Sequence, residues 1–293
     1  MNRTDIYTEV TNTIIAAIEK GMNGKFEMPW HSVNRIPENA KTGNCYQGIN
    51  VPLLWAHQVD RHYTSPLWAT YKQWAERGAQ VKRGEKGVAI VFYKTFEIDT
   101  PAEQEEPETR IVARHSTVFN AAQVEGYDLT EAPSPSLIEN IASADCLVTA
   151  TGADIRHGGH QAYYIPSQDF IALPPRETFK DTTTSTATEN YYSTLFHELT
   201  HWSGAKQRLD RLTPAKFGGQ EYAFEELIAE MGAAMCCAST GVTSSPREDH
   251  ARYIQNWLFA LKSDKRFIFS AASQAQKAVD FLFSQQQAEV KAA

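Results

Sequence analysis

The sequence predicts an α+β protein of two domains: an N-terminal domain of helices and antiparallel strands, and a C-terminal domain of helices with two short strands. The 293 residues correspond to about two average domains. The spacing of apolar residues changes from helical to alternating and back to helical along the chain. A segment rich in Pro, Ser and acidic residues, DLTEAPSPS, then marks a boundary. We therefore predict domains at 1–127 and 137–293, each with its own core, joined by a linker at 128–136.

Three helices and three strands are expected before the boundary. Apolar residues at Ile6, Val10 and Ile14 predict a first helix that ends at Gly21. A second helix is opened by Asn50-Val51-Pro52, and a third by Ser65-Pro66. VKRGEKGVAIVFYKTF predicts two strands joined by a glycine-rich turn, and RIVARHSTVFN predicts another strand. An exposed acidic loop, EIDTPAEQEEPET, separates the last two strands.

The second domain is expected to be mainly helical. Its two predicted strands are QAYYIPS and DFIALP. Helical spacing of apolar residues predicts five helices, at 137–142, 188–202, 222–237, 249–262 and 270–286.

Composition excludes several classes of protein. No apolar run approaches the roughly eighteen residues that a membrane span needs, so no membrane partner is expected. The first residues lack the apolar core of a signal peptide. The four cysteines form no CxxC motif, which indicates reduced thiols in a cytoplasm rather than a disulfide scaffold or a cysteine-ligated zinc finger.

The clearest chemical motif is HELTH, residues 197–201. His197 and His201 lie only about 40° apart around a helix, so both imidazoles can reach one tetrahedral Zn²⁺. Glu198 can take a proton from a metal-bound water, which makes it the candidate catalytic base. Tyr163, Tyr164, His157, His160, Tyr191 and Tyr192 are candidates to stabilise an oxyanion, and the HGGH segment at 157–160 is interpreted as a polar turn.

A third metal ligand is expected from the segment EELIAE at 225–230. Glu226 and Glu230 share one helix face, opposite an apolar face. We assign Glu226 as the ligand and Glu230 as the acceptor for the N–H of a ligating imidazole. Glu225, displaced by about 100°, is the alternative ligand. Manganese or another divalent cation remains an alternative to zinc, because sequence does not determine which metal is bound.

Residues 1–95 combine aromatic and basic side chains in a way that is typical of nucleic-acid-binding proteins. The whole chain has a net charge of −7, but residues 1–95 carry 12 Lys or Arg against 8 Asp or Glu. Aromatic side chains that stack on bases and cations that contact phosphates are typical of single-strand binding. The candidate DNA contacts are Lys82, Arg83 and Lys86 on the glycine-rich turn, together with Lys72, Trp74 and Tyr46. For any one tryptophan, packing in the core is the alternative interpretation.

Several segments resemble one known family. DIYTEVTNTIIAAIEKG, TGNCYQGIN, SPLWATYKQW and GAQVKRGEKG are similar to the N-terminal single-stranded-DNA-binding domain of ArdC-type antirestriction proteins, which plasmid TraC-type primases share. AYYIPSQDFIALPP, YYSTLFHELTHWSG and FGGQEYAFEELIAEMGAA resemble the zincin-like metallopeptidase domain of that family. The resemblance implies a plasmid-encoded protein that binds single-stranded DNA and shields conjugative DNA from host restriction. It also implies a gluzincin-like site with His197, His201 and Glu226 as ligands and Glu198 as base.

Two other functions compete with this interpretation. The chain could be a cytoplasmic zinc metallopeptidase whose N-terminal domain recruits protein substrates. It could also mask host restriction-modification subunits, with the metal serving only stability. A nuclease is disfavoured, because nuclease metals are usually held by clustered carboxylates rather than by two imidazoles.

Overall fold

The chain forms strands and helices in its first half and mainly helices in its second. The computed structural model describes residues 5–22, 28–30, 35–98, 108–128, 136–213, 219–244 and 251–292. Within these ranges the helices are α1 (Ile6–Met22), α2 (Asn50–Asp60), α3 (Tyr71–Glu76), α4 (Leu137–Thr151), α5 (Ala187–Ser203), α6 (Gln220–Thr240), α7 (Ala251–Ser263) and α8 (Phe267–Ala292). The strands are β1 (Glu38–Asn39), β2 (Leu67–Thr70), β3 (Gln80–Val81), β4 (Val88–Ile98), β5 (Glu108–Asn120), β6 (Val124–Glu125), β7 (Asp154–His157), β8 (Tyr163–Ile165) and β9 (Phe170–Leu173). This mixture of helices and largely antiparallel strands confirms the predicted α+β class.

A four-stranded sheet with strand order β1-β2-β5-β4 organises the first half. Strands β4 and β5 are antiparallel from the pair Val88 and Val118 to the pair Ile98 and Glu108. The predicted acidic loop therefore contributes residues to both strands, and its centre lies outside the described residues. The glycine-rich turn was expected to join a hairpin, but β3 pairs with β6 in a separate two-stranded sheet. The turn thus connects two sheets.

The third helix begins later than the sequence predicts. Residues 67–70, expected to be helical after Ser65-Pro66, form β2 in the middle of the four-stranded sheet. Helix α3 starts at Tyr71, because Thr70 is a capping residue. Its hydroxyl accepts a hydrogen bond from the Gln73 N–H, and the Gln73 side chain accepts one from the Thr70 N–H.

A three-stranded sheet and five packed helices, α4 to α8, form most of the described part of the second half. The two predicted strands are present as β8 and β9, and β8 lies at one edge of the order β7-β9-β8. Strand β7, which pairs in parallel with β9, was not predicted. Its residues DIRH are mostly exposed and give no alternating pattern. Helix α5 contacts α6, α8 and both of the strands β8 and β9.

The hydrophobic core is continuous between the two halves. Val10 and Ile14 of α1 belong to the same buried cluster as Trp257 of α7 and Leu282 of α8. A smaller cluster surrounds Trp74. The expectation of two separate cores is therefore wrong, because α1 packs against α7 as well as against α2. The segment 129–135 of the predicted linker lies outside the described residues, and the domain limits stay predictions. Among the described helices none is both long and apolar enough to cross a bilayer.

Candidate metal centre

Helix α5 holds the HELTH motif by burying its opposite face. Tyr191, Leu195 and Leu199 belong to the core. A capping box between Thr186 and Glu189 starts the helix. His197 is only 2% exposed and Glu198 only 3%, so both functional side chains project from a helix that is anchored along most of its length.

A close approach of α6 brings carboxylates to the two histidines. Gly232 of α6 faces Thr200 of α5, and a Cβ at position 232 would lie 2.6 Å from the Thr200 Cγ2 atom. The absence of a side chain at Gly232 therefore sets the distance between the helices. Glu230 lies two residues and Glu226 six residues before Gly232 in α6, and both reach the imidazoles across this contact.

Three side chains converge on one point. The Nε2 atoms of His197 and His201 lie 3.1 Å apart, and each lies 3.6 Å from an oxygen of Glu226. All three ligand atoms lie within 4.8 Å of one another. The 3.6 Å distances join His197 to Oε2 and His201 to Oε1 of Glu226, and these distances, like the 3.1 Å between the Nε2 atoms, are shorter than twice a zinc-ligand bond of about 2.1 Å. One ion between the two imidazoles and the carboxylate can therefore contact all three side chains. Elsewhere in the described ranges no other His, Cys, Asp and Glu side chains form such a group.

Two further carboxylates hold the imidazoles in position. His197 donates from Nδ1 to Glu230 at 2.9 Å, as predicted for Glu230, and His201 donates from Nδ1 to Glu225 at 3.0 Å. With protons on both Nδ1 atoms, both Nε2 lone pairs are available to a metal. Glu225 was considered as an alternative ligand, but its carboxylate contacts the imidazole nitrogen that faces away from Glu226.

The role of Arg211 in this site was not predicted from the sequence. Its guanidinium donates to both oxygens of Glu225, at 2.8 and 2.9 Å, and to the backbone carbonyl of Thr200 at 2.7 Å. Arg211 thereby ties Glu225 to the helix that carries the histidines. It follows α5 in an irregular segment, where no periodic pattern marks it, and the only sequence signal is its proximity to the motif.

The charges of the centre keep Glu226 ionised. Burial raises the pKa of Glu226, but the two imidazoles, whose Nε2 atoms each lie 3.6 Å from one of its oxygens, outweigh burial and lower the pKa to about 2. Burial also raises the pKa of Glu225, and the hydrogen bonds from His201 and Arg211 lower it by more. Two imidazoles and an ionised carboxylate are a donor set that suits Zn²⁺ and other divalent transition metals.

A cleft of about 1470 Å³ opens onto the three converging side chains; we call it the metal cleft. Glu198 lines it, as do Tyr163 and Tyr164 beside the β8 edge. The other candidates for oxyanion stabilisation lie elsewhere. Tyr191 is buried with its hydroxyl 2.9 Å from His157 Nε2, Tyr192 bonds Asp145, and His160 is exposed outside the cleft.

The predicted DNA contacts differ in their exposure to solvent. Lys82, Arg83 and Lys86 are exposed on the turn between β3 and β4, and Lys72 is exposed on α3 near Glu76. Tyr46 is half-buried, and its hydroxyl donates to the Trp68 carbonyl.

Trp74 has no exposed surface, and its indole N–H donates to the Phe119 carbonyl at 3.0 Å. The prediction that Trp74 contacts DNA is therefore wrong. The core interpretation holds for it, as it does for Trp30, Trp55 and Trp68, which are equally buried.

Comparison with known families and proteins relates both halves of the chain to one group. The family described as "N-terminal domain of anti-restriction factor ArdC" matches residues 4–124, and the family described as "Zincin-like metallopeptidase" matches residues 142–274. "Uncharacterized protein y4eC" of Sinorhizobium fredii is 44% identical over 292 residues, which cover 97% of this chain and 93% of that protein. "DNA primase TraC" of Escherichia coli is 36% identical over 290 residues, which cover 93% of this chain but only 25% of the primase.

Two solved structures are similar over almost their full length. Both are crystal structures of the antirestriction ArdC protein from plasmid R388, one metal-free and one with Mn(II) bound. Each is 40% identical to this chain. The metal-free structure has a TM-score of 0.78 and matches 97% of this chain and 98% of its own; the Mn(II)-bound structure has a TM-score of 0.77 and matches 96% and 98%.

Proposed function

The chain belongs to the ArdC antirestriction family, and we propose that it binds single-stranded DNA in the cytoplasm and protects incoming conjugative DNA from host restriction. One observation carries the proposal: the ArdC N-terminal family and the zincin-like family match the two halves in order, and ArdC of plasmid R388 matches nearly the whole chain. The basic excess of residues 1–95 supports the same assignment, since cations there can contact phosphates. The four unpaired cysteines agree with a reducing compartment.

We further propose that His197, His201 and Glu226 bind one divalent cation, zinc or manganese. The support is the convergence of the two Nε2 lone pairs and the Glu226 carboxylate, together with the hydrogen bonds that orient both imidazoles. The Mn(II) bound to ArdC of plasmid R388 makes manganese a specific alternative to zinc.

In this proposal Glu198 is the proton-accepting residue of the cleft. A divalent cation, when bound, lowers the pKa of a coordinated water and polarises a carbonyl group. The Glu198 carboxylate lines the same cleft as both histidines and can take a proton from that water. Glu230 and Glu225 keep protons on the Nδ1 atoms, and Arg211 holds Glu225 in place.

Fluorescence anisotropy tests DNA binding. The purified chain is titrated against labelled oligo(dT) and against a duplex of equal length, at several salt concentrations. We expect tighter binding to the single strand and an affinity that falls as salt rises, because cations contact phosphates. Equal affinity for both forms, or no effect of salt, would contradict the proposal.

A mating assay tests the biological role. Plasmid transfer is counted into recipients with and without a restriction system, using donors that express the chain or its Glu198→Gln variant. Protection by both proteins would support a function carried by DNA binding. If a variant that cannot bind single-stranded DNA still protects, direct binding to host restriction subunits is favoured instead.

A second candidate function is peptide hydrolysis. The specific observation is that the edge strand β8 lines the metal cleft beside Glu198, where an extended peptide could add as a strand. Incubation of the metal-loaded chain with an unfolded protein mixture, followed by mass spectrometry of new termini, tests it. Cleavage by the unaltered chain that Glu198→Gln abolishes would support the activity; identical termini with both proteins would contradict it.

A further inference from the structure

A second cavity separates the first-half sheet from α8, and we call it the sheet–α8 groove. It encloses about 1120 Å³ between β4, β5, the segment 45–50 and one side of α8. Of the six predicted DNA contacts, only Tyr46 lines it. The other five lie outside this cavity, so the groove was not foreseen from the sequence.

The lining of the groove combines aromatic rings with amide groups. The aromatic residues are Tyr7, Tyr46, Phe92, Tyr93 and Phe269, and the amides are Asn39, Gln47, Asn50, Gln73 and Gln276. Tyr93 is 53% exposed and Phe92 37%, which is unusual for large apolar side chains. Exposed rings can stack on nucleobases, and amides can hydrogen-bond base edges.

Charge in the groove is entirely positive. Arg266, which directly precedes α8, and Lys277 of α8 line it, and no Asp or Glu is among its described lining residues. The whole chain has 35 Asp and Glu against 28 Lys and Arg, so the charge of the groove is opposite in sign to the net charge of the chain. Both cations are exposed, and Arg266 lies over the Tyr7 ring at 5.6 Å. A ligand with negative charges and flat apolar groups matches these walls.

The groove walls are held by neutral contacts. Gln276 of α8 accepts a hydrogen bond from the Gly48 N–H at 2.9 Å, which ties the segment 45–50 to the helix. Tyr7 packs against Phe269 with ring centroids 4.7 Å apart. The two halves of the chain thus form the groove together, and its cations come from the half that carries the metal centre.

A peptide strand is a poorer occupant than a nucleic acid. Strand β4 is at the edge of its sheet, but Asn50 covers the centre of that edge. The Asn50 amide donates to the Val91 carbonyl at 2.6 Å and accepts from the Val91 N–H at 2.8 Å. These are the backbone groups that an added strand would need.

We propose that single-stranded DNA binds in the sheet–α8 groove, with bases against Tyr93 and phosphates near Arg266 and Lys277. The inference rests on the proposed single-strand binding and gives it a location different from the glycine-rich turn. Arg266, Ser270 and Lys277 line the metal cleft as well as the groove. The bound strand therefore reaches the mouth of the metal cleft.

Protection of a cysteine tests the location in the unaltered protein. Cys45 lines the groove, whereas Cys146 is exposed on α4 outside both cavities, and Cys236 and Cys237 are buried. The chain is treated with N-ethylmaleimide with and without oligo(dT), and modification of each cysteine is measured by peptide mass spectrometry. Burial raises the pKa of the Cys45 thiol, so the reaction is run at mildly alkaline pH.

We expect oligo(dT) to slow modification of Cys45 at least tenfold and to leave Cys146 unchanged. Anisotropy on the same samples reports whether DNA is bound. Bound DNA with an unprotected Cys45 would overturn the groove and leave the proposed function intact. No binding at all would overturn the proposed function itself.

Matched aromatic variants provide the second test. Tyr93→Ala removes a ring in the groove, and Tyr71→Ala removes one of equal exposure on α3, outside the groove. Loss of a stacking ring costs roughly 1–3 kcal/mol, so we expect Tyr93→Ala to weaken oligo(dT) binding about 5- to 150-fold. Tyr71→Ala is expected to bind like the unaltered chain. Equal affinity of the two variants would overturn the proposal.

The cations are tested by the slope of affinity against salt. The double variant Arg266→Gln, Lys277→Gln is expected to reduce the slope of log K against log salt by about 1.4, since each single-strand phosphate contact contributes about 0.7. The pair Lys82→Gln, Arg83→Gln tests the rival location at the turn. A reduced slope only in the turn variant would overturn the groove.

Discussion

The metal cleft and the sheet–α8 groove meet along α8 but have opposite chemistry. The metal cleft is lined by six acidic residues, Glu198, Asp210, Glu221, Glu225, Glu226 and Asp264. The groove has no described acidic lining residue, and both of its cations are shared with the cleft. A cation is attracted to the first cavity and an anion to the second. The net charge of −7 describes neither cavity, because binding depends on the charges that line a site.

The two cavities also differ in how they are held. In the metal cleft, buried charged side chains fix one another through hydrogen bonds, as in the chain from His201 to Glu225 to Arg211. In the groove, neutral contacts such as Gln276 with Gly48 hold the walls while the exposed rings stay accessible. Substituting one residue of the cleft should therefore lower metal affinity strongly. Substituting one residue of the groove should weaken DNA binding only by the contact that is removed. Each of the following predictions would sharpen or break this contrast.

The largest effect is expected from His201→Ala. Loss of a side chain that only supports a ligand lowers metal affinity about 10- to 100-fold, and loss of a ligand should exceed this range. Affinity for oligo(dT) should not change, because His201 does not line the groove. Metal content is measured after dialysis, and oligo(dT) affinity is measured by fluorescence anisotropy. His160→Ala, at an exposed position outside the cleft, is the control, and equal metal content in both variants would refute the assigned ligand.

The second largest effect concerns the carboxylates that orient the histidines. We expect Glu230→Gln and Glu225→Gln each to lower metal affinity about 10- to 100-fold, because an amide is a weaker acceptor for the Nδ1 proton. Glu177→Gln, at an exposed position outside the metal cleft, is the control. Competition with a chelating dye gives the three affinities. Equal metal affinity of all three variants would refute the orienting role of Glu225 and Glu230.

A third prediction concerns the contact that sets the distance between α5 and α6. Gly232→Ala should destabilise the chain by about 1–3 kcal/mol through overpacking against Thr200. The Thr200 hydroxyl donates to the Phe196 carbonyl at 2.8 Å, which holds that side chain in place. Gly158→Ala, where an added Cβ meets nothing within 4 Å, is the matched control.

Denaturant unfolding measures both glycine variants. A stabilised Gly232→Ala protein would show that the helices separate at no cost, since alanine is the better helix former. In that case the metal centre would not depend on the close approach of α6.

The smallest effect is a dependence of stability on pH. The hydrogen bond from Arg208 holds the pKa of Asp169 at about 2, below its ordinary value of 3.8. Because the folded pKa is the lower one, this pair stabilises the fold above about pH 4, and the stabilisation is lost as pH falls toward 2. Asp169 is 41% exposed at its side chain, so we expect at most about 1 kcal/mol.

Asp169→Asn tests this contribution in urea at pH 5 and at pH 2.5. The variant should be less stable than the unaltered chain at pH 5, and the difference should shrink at pH 2.5. A constant difference would show that the carboxylate charge is not the cause. Oligo(dT) binding at pH 7 should not change, because the pair joins the turn between β8 and β9 to the segment that follows α5, outside the groove.

Much of the metal centre could be predicted because it depends on local geometry. The i, i+4 spacing of His197 and His201 and the shared face of Glu226 and Glu230 follow from helical periodicity alone. The structure brings those four side chains together as the spacing suggests. Arg211 could not be predicted, since its contacts with Glu225 and Thr200 require an irregular segment to fold back along α5.

The nucleic-acid surface was harder to predict. Lys82 and Arg83 are exposed, as a glycine-rich turn requires, but exposure does not show what a residue faces. Trp74 has an aromatic ring of the kind that stacks on bases, but its side chain is completely buried. Arg266 and Lys277 lie more than 170 positions after Tyr93 in the sequence, so no local pattern connects them.

The sequence by itself determined the α+β class, most of the helices, the histidine pair and the carboxylates that serve it, because these depend on periodicities of a few residues. Only the tertiary structure decided which residues share a cavity: Glu225 with Arg211, and Tyr93 with Arg266 and Lys277. It also joined the two halves through one core, against the expectation of separate ones. The physical reason is that contacts between distant segments depend on how helices and sheets pack, and no short-range pattern records that packing.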